Sequence, residues 1–198
     1  MLAQTFLNLV QRVAKDLDLA AIQSEVQAFS QKHADLPTRG KAERMVERTA
    51  RRAAALGAVA SLPPGWAALA TVAPEMTALI VLQSRLIVGL HVLYGGTPEP
   101  DERALEVLAG LAAGAGINVG RRLTTRAVED VAGRLVLRIA GREATHVVPL
   151  LGAAAGAALN YAAVKAVGRA ALRRVERLYG PPEMPGSGPV VDVAGAVT

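Results

Sequence analysis

The chain has 198 residues and no cysteine, which excludes disulfides, thiolate catalysis and Cys-ligated zinc or iron–sulfur centres. Hydrophobic residues make up 52% but aromatics only 3%, so the apolar mass is Ala, Val, Leu and Gly, a mixture that suits close-packed or membrane-contacting helices better than a β-sandwich. The net charge of +5 comes from 18 Arg and 4 Lys set against 17 acids, which makes nucleic acid and anionic lipid the partners to weigh.

In chain order, residues 2–35 read as one helix, because Leu2, Phe6, Leu9, Val13, Leu17 and Ile22 recur near helical spacing. Leu36-Pro37 breaks it. A second helix is expected over 39–61, with Met45, Thr49, Ala53, Leu56 and Ala60 on one face and Glu47 paired with Arg51. Leu62-Pro63-Pro64-Gly65 ends that helix. A short helix from Trp66 to Ala73 follows, and Pro74 is expected to open the next, which runs to Tyr94 and stops at Gly95-Gly96. Asp101 and Glu102 begin a helix that loosens at Gly114-Ala115-Gly116. Another helix is expected over 118–140, with Val128, Val131, Leu135 and Ile139 as its apolar face. The last runs from Pro149 to Tyr179 and stops at Gly180-Pro181-Pro182. The pattern predicts an all-α, single-domain bundle of about seven helices with a long C-terminal helix. Its parts are an N-terminal helical segment at 1–38, the main helical domain at 39–180 and a mobile Pro/Gly-rich tail at 181–198.

Two apolar stretches raise the question of a membrane. Residues 144–164 carry no formal charge and reach the length of a span, but His146, Pro149, Asn160, Tyr161 and many alanines make the run marginal. Residues 76–94 are more apolar but hold Arg85 near the middle, at a cost of about 2.5–3.5 kcal/mol for insertion, which favours an amphipathic or buried helix. Gly110 with Gly114, and Gly152 with Gly156, repeat a small-xxx-small spacing that draws helices together in lipid and in soluble cores alike.

No nucleophile elbow, phosphate-binding lysine loop or metal-ligand spacing is present, so the expectation is a non-enzyme without cofactor, catalytic residue or metal site. The loop from Gly114 to Gly120 follows a helix and not a strand, which rules out a dinucleotide fingerprint. His33, His91 and His146 are scattered, and His91 reads as a helix-surface or satisfied core residue. Asn160 and Tyr161 interrupt an apolar helix: they bind either a ligand headgroup or a neighbouring helix, and the interhelical bond is the stronger reading. Arg85 is expected to be buried and paired with Glu75, Glu106 or Asn160. The carboxylate pairs Glu43 with Glu47, Asp101 with Glu102, and Glu129 with Asp130 read as solvated helix charge. Arg122, Arg126, Arg134, Arg138 and Arg142 form either a solvated face or, joined to Arg169, Arg173, Arg174 and Arg177, a basic surface for anionic lipid.

The segment Thr77-Ala78-Leu79 through Gln83-Ser84-Arg85-Leu86 to Leu93-Tyr94-Gly95 resembles the first half of the EcsC family pattern. Val148-Pro149-Leu150-Leu151-Gly152-Ala153-Ala154-Ala155-Gly156-Ala157-Ala158-Leu159-Asn160-Tyr161 is similar to its second half, and Arg174-Val175-Glu176-Arg177-Leu178-Tyr179-Gly180 to its close. The resemblance spans about residues 40–180 and departs at Ala170-Ala171-Leu172, where the family pattern has an aromatic. It implies a helical bacterial protein working near a membrane, accessory to an ABC transporter or another membrane process, and it supplies no catalytic residues. The expected function is therefore a membrane-associated helical protein at the inner face of the cell membrane. A soluble scaffold, an oligomer subunit and an apolar-ligand carrier are the alternatives. Nucleic acid ranks last, for want of stacking aromatics. The start of the chain lacks a basic-then-apolar leader, which points to the cytoplasm.

Overall fold

The computed structural model describes residues 2–60, 66–117 and 149–180, and every element among them is helical: α1 (Leu2–Lys15), α2 (Leu19–Lys32), α3 (Thr38–Ala60), α4 (Trp66–Leu93), α5 (Pro100–Gly114) and α6 (Pro149–Tyr179). The all-α expectation holds. The helix expected at 118–140, the arginine series from Arg122 to Arg142, the Glu129 and Asp130 pair, and the tail at 181–198 lie outside the described residues.

The expected single helix at 2–35 is two helices. α1 is amphipathic, with Phe6, Leu7, Val10, Val13 and Ala14 buried and Gln4, Asn8, Gln11 and Arg12 exposed. It ends at Lys15 because Asp18 caps a new helix, its carboxylate accepting from the Ala21 N–H at 2.9 Å. A second tie fixes the break. The buried Arg103 of α5 donates from Nη1 to the Leu17 carbonyl (3.3 Å) and from Nε to the Pro98 carbonyl (3.0 Å), which binds the α1–α2 turn to the loop before α5.

α4 differs from expectation in the other direction. It runs unbroken through Pro74. A proline inside a helix forfeits one ladder bond, here to the carbonyl of Ala70. The flanks are strong helix formers, and the C-terminal half of α4 is anchored in the core through Leu86, Ile87, Val88 and Leu90. At its end Gly95 takes a left-handed φ of 82°, and the Gly96 N–H closes on the His91 carbonyl at 2.8 Å. α5 opens with Pro100 at its first turn and Glu102 accepting from the Glu99 N–H at 3.2 Å. α6 ends at Gly180, φ 80°.

One core joins α1, α3, α4, α5 and α6, and a smaller cluster seats α2 on α4 through Ile22, Val26 and Val88. The register is set by close backbone approaches. A Cβ placed on Gly168 of α6 would lie 2.6 Å from a Val46 methyl of α3 and 3.2 Å from Leu86 of α4. One placed on Gly57 of α3 would lie 2.6 Å from the Gly156 carbonyl oxygen of α6. One placed on Gly114 of α5 would lie 2.7 Å from the Val167 Cα. The Gly110 and Gly114 spacing thus serves helix packing inside the protein: Gly110 meets Ile87, and Gly114 meets α6. From these contacts and the Tyr94–Glu176 bond, α4 and α6 run parallel, with α3 antiparallel to both.

The window Met76–Leu93 in α4 is the one among the described residues long and apolar enough to cross a membrane, with mean hydropathy 1.7 and half of it buried inside the protein. Such burial is what a core helix has, in line with the reading made from Arg85.

Candidate functional site

Two polar networks and one arginine row hold the functional side chains. The first network centres on His91, which α4 carries into the core at 2% exposure. Its Nδ1 lies 2.9 Å from the Tyr179 hydroxyl at the end of α6, and its Nε2 lies 3.4 Å from Glu106 Oε2 on α5. The Arg174 guanidinium of α6 forks onto the same carboxylate: Nη2 donates to Oε1 at 2.6 Å, and Nε to Oε2. Burial pushes the Glu106 carboxyl up, but the Arg174 fork and then His91 outweigh it and hold it down at about 2. With Glu106 ionised, the partners assign the proton of a neutral ring to Nε2, and Nδ1 accepts from the Tyr179 hydroxyl. Burial and the nearby Glu106 charge raise the Tyr179 phenol above its usual range. The Tyr179 ring lies over Gly96, where no side chain fits. Every partner in this set comes from a neighbouring helix, so its chemistry is cohesion: it locks α4, α5 and α6 at the end where the α4–α5 loop turns.

The second network stitches α3 to α6. Glu47 accepts from Lys165 Nζ (2.8 Å), from Arg51 Nε (2.9 Å) and from the Tyr161 hydroxyl (2.9 Å to Oε2). Lys165 first, then Arg51 and Tyr161, hold the Glu47 carboxyl down at about 2, and Glu47 in turn raises the Lys165 ammonium. About three turns further along α6, Tyr94 bonds Glu176 at 3.5 Å, and Arg39 reaches the same carboxylate at 3.5 Å. Burial, then the Glu176 charge, push the Tyr94 phenol up to about 12.

The arginines divide. Arg169, Arg173 and Arg177 follow one another at a spacing of four on the exposed side of α6, and among the described residues none of them makes an ion pair. Arg44 and Arg52 of α3 are likewise exposed and unpaired among those residues, and the Val46–Gly168 contact brings Arg44 to the level of the α6 row. Arg174 does not belong to that row. Its side chain is 37% exposed and turned inward onto Glu106, because a step of one residue rotates it about 100° away from Arg173.

Three further expectations change with the geometry. Arg85 is half-buried at 34%, and its partner is Glu25 of α2 at 2.8 Å, not Glu75, Glu106 or Asn160; the break at 16–18 is what folds α2 back beside α4. Asn160 and Tyr161 are half-buried, and Tyr161 makes the interhelical bond in the stronger reading; Asn160 sits against Gly57. Glu47 is an interhelical anchor and not a solvated charge, although its predicted pair with Arg51 is present; Glu43 pairs with Arg39 on the exposed face. The His91 network escaped the sequence reading because its partners lie far along the chain. The one local signal was a histidine among the apolar residues of α4.

Among the described residues, no three His, Asp or Glu side chains gather as metal ligands. No family model, curated protein or solved structure matches the chain.

Proposed function

We propose that the protein is a non-enzymatic helical protein that docks on an anionic membrane surface through Arg169, Arg173 and Arg177. The observation that carries this reading is the row itself: three exposed cations on successive turns, with no carboxylate neutralising them among the described residues. Each arginine near an anionic surface contributes about 1 kcal/mol, and the contribution fades with salt. The resemblance to the EcsC pattern supports the same setting. On that reading the chain is an accessory to a bacterial membrane process such as ABC transport, working at the inner face of the membrane.

Flotation of the full chain with vesicles of phosphatidylcholine alone, and with added phosphatidylglycerol, tests the proposal. The protein is expected to float with the anionic vesicles at low salt, to remain with the soluble fraction when the vesicles are neutral, and to be released from anionic vesicles by high salt. A soluble, self-associating scaffold is the second reading, favoured by the exposed Leu105 (43%) and Leu178 (53%). It predicts no flotation and a sedimentation velocity that rises with protein concentration.

A further inference from the structure

We infer that Arg44 of α3 joins Arg169 and Arg173 of α6 in a cationic patch two helices wide, and that the patch takes a lipid headgroup carrying two phosphates on one molecule. The inference rests on the proposed membrane reading and adds the second helix and the class of lipid.

The seam between α3 and α6 places the patch. Across it Lys165 meets Glu47 at 2.8 Å, Gly168 lies against Val46, and Arg39 reaches Glu176 at 3.5 Å. On this antiparallel register Arg44 falls level with about Ala170, between Arg169 and Arg173 along the axis. Arg44 stands three residues before Glu47, about 60° round α3, and Arg169 stands four after Lys165, about 40° round α6. Both arginines are exposed, and the inner side of the seam is filled by Val46, Val164 and Gly168. Both therefore turn outward from the Glu47–Lys165 bridge on the same side. The other cations of α3 are placed differently. Arg51 is held by Glu47, and Arg48 lies over the Phe29 ring of α2, 6.0 Å from its centroid. Lys41 and Arg52 lie further round α3 in that direction.

The patch keeps its charge because the nearby acids are engaged elsewhere. α3 and α6 carry three carboxylates between them, Glu43, Glu47 and Glu176. Glu43 pairs with Arg39, Glu47 holds Lys165, Arg51 and Tyr161, and Glu176 holds Arg39 and Tyr94. Among the described residues no carboxylate pairs with Arg44, Arg169 or Arg173.

Shape then selects the ligand. A guanidinium forks onto a phosphate, and Arg169 and Arg173 are about 6 Å apart along the helix with Arg44 beside them. Such a cluster needs phosphates held close together. In a bilayer of singly phosphorylated lipids each phosphate is confined separately, at the entropic cost of one lipid apiece. Two phosphates joined by a glycerol bridge arrive together, the second as an intramolecular partner at high effective concentration.

The test floats the full-length protein with phosphatidylcholine vesicles that carry either phosphatidylglycerol or diphosphatidylglycerol, matched in anionic phosphate. Wild type is expected to bind the diphosphatidylglycerol vesicles about tenfold more tightly. Arg44→Gln is expected to abolish most of that preference with an unchanged circular dichroism spectrum. Arg12→Gln removes an exposed cation of α1, and so the same net charge, and is expected to keep the preference. Three results overturn the paired-phosphate patch and leave docking through the arginine row standing: equal binding of wild type to the two vesicle types, a preference that Arg44→Gln retains in full, or one that Arg12→Gln loses equally. Release from both vesicle types by micromolar inorganic pyrophosphate would assign the patch to a soluble diphosphate and overturn the lipid as its occupant. Failure of the wild type to float with either vesicle overturns both the patch and the proposed function.

Discussion

The two ends of α6 hold to their neighbours by different physics. From Tyr161 to Tyr179 the helix is locked by polar partners: Lys165 and Tyr161 on Glu47, Arg174 on Glu106, and Tyr179 on His91. From Pro149 to Asn160 it is held by backbone proximity, with Gly156 against Gly57 and Asn160 packed beside them. The charged end has partners that titrate; among the described residues the glycine contact has none. Proton concentration and salt therefore act on one end, while the other keeps its packing and its exposed alanines in any buffer. The difference teaches that small-xxx-small spacing and apolar composition do not by themselves define a membrane segment. Gly110 and Gly114 have the same spacing and are fully used inside the protein.

The largest effect should come from breaking the charged lock. Arg174→Met strips the cation from a mostly buried carboxylate and is expected to cost about 3–5 kcal/mol in urea denaturation. The double variant Arg174→Met with Glu106→Gln should recover part of that loss, because the uncompensated charge is then gone. A cost below 1 kcal/mol for Arg174→Met would mean the fork contributes no more than a surface pair.

Titration sharpens the same contrast. The Glu106 carboxyl is held at about 2 against an ordinary value of 4.5. A depressed carboxylate gives stability that is fully present above 4.5 and is lost as pH falls toward 2, on the order of 3 kcal/mol in total. Wild-type stability should fall across that window. Glu106→Gln should be less stable at neutral pH and flatter below 4.5, and the difference between the two proteins should close by about pH 2. A constant difference from pH 6 to pH 2 would contradict the assignment.

The glycine seam gives a smaller, pH-independent effect. Gly57→Val puts a branched side chain against the Gly156 carbonyl and should cost about 2–3 kcal/mol through forced separation of α3 and α6. The cost should be equal at pH 7 and pH 4. A marked pH dependence would show that the two ends are coupled.

What could be read from the sequence follows the range of the interactions. α3, α5 and α6 were legible because their signals are local: a proline or glycine stop, an acidic first turn and regular apolar spacing. The division between α1 and α2 was hidden because Leu17 and Ile22 keep the helical rhythm across it. The deciding features are the Asp18 cap and the reach of Arg103 to the Leu17 carbonyl, a contact between residues far apart in the chain. Pro74 misled in the opposite sense, because its local preference gave way to the packing of a long core helix. At the candidate site, the interruption of the apolar pattern at Asn160 and Tyr161 points to an interhelical bond, and Tyr161 makes one to Glu47. Arg174 was grouped with Arg169, Arg173 and Arg177 because sequence proximity does not reveal which arginine faces Glu106. His91 looked solitary for the same reason: Glu106 and Tyr179 reach it only once α5 and α6 have folded against α4.

The most direct test of the account compares wild type with the triple variant Arg169→Gln, Arg173→Gln, Arg177→Gln in flotation with phosphatidylcholine–phosphatidylglycerol vesicles at low salt. Glutamine is nearly as good a helix former as arginine, so helicity should be preserved and the change confined to charge. At about 1 kcal/mol per arginine, the variant should lose affinity on the order of a hundredfold. Raising salt should weaken the wild type markedly and the variant little. Equal partitioning of the two proteins, or a wild type that ignores anionic vesicles at low salt, would contradict the proposed function.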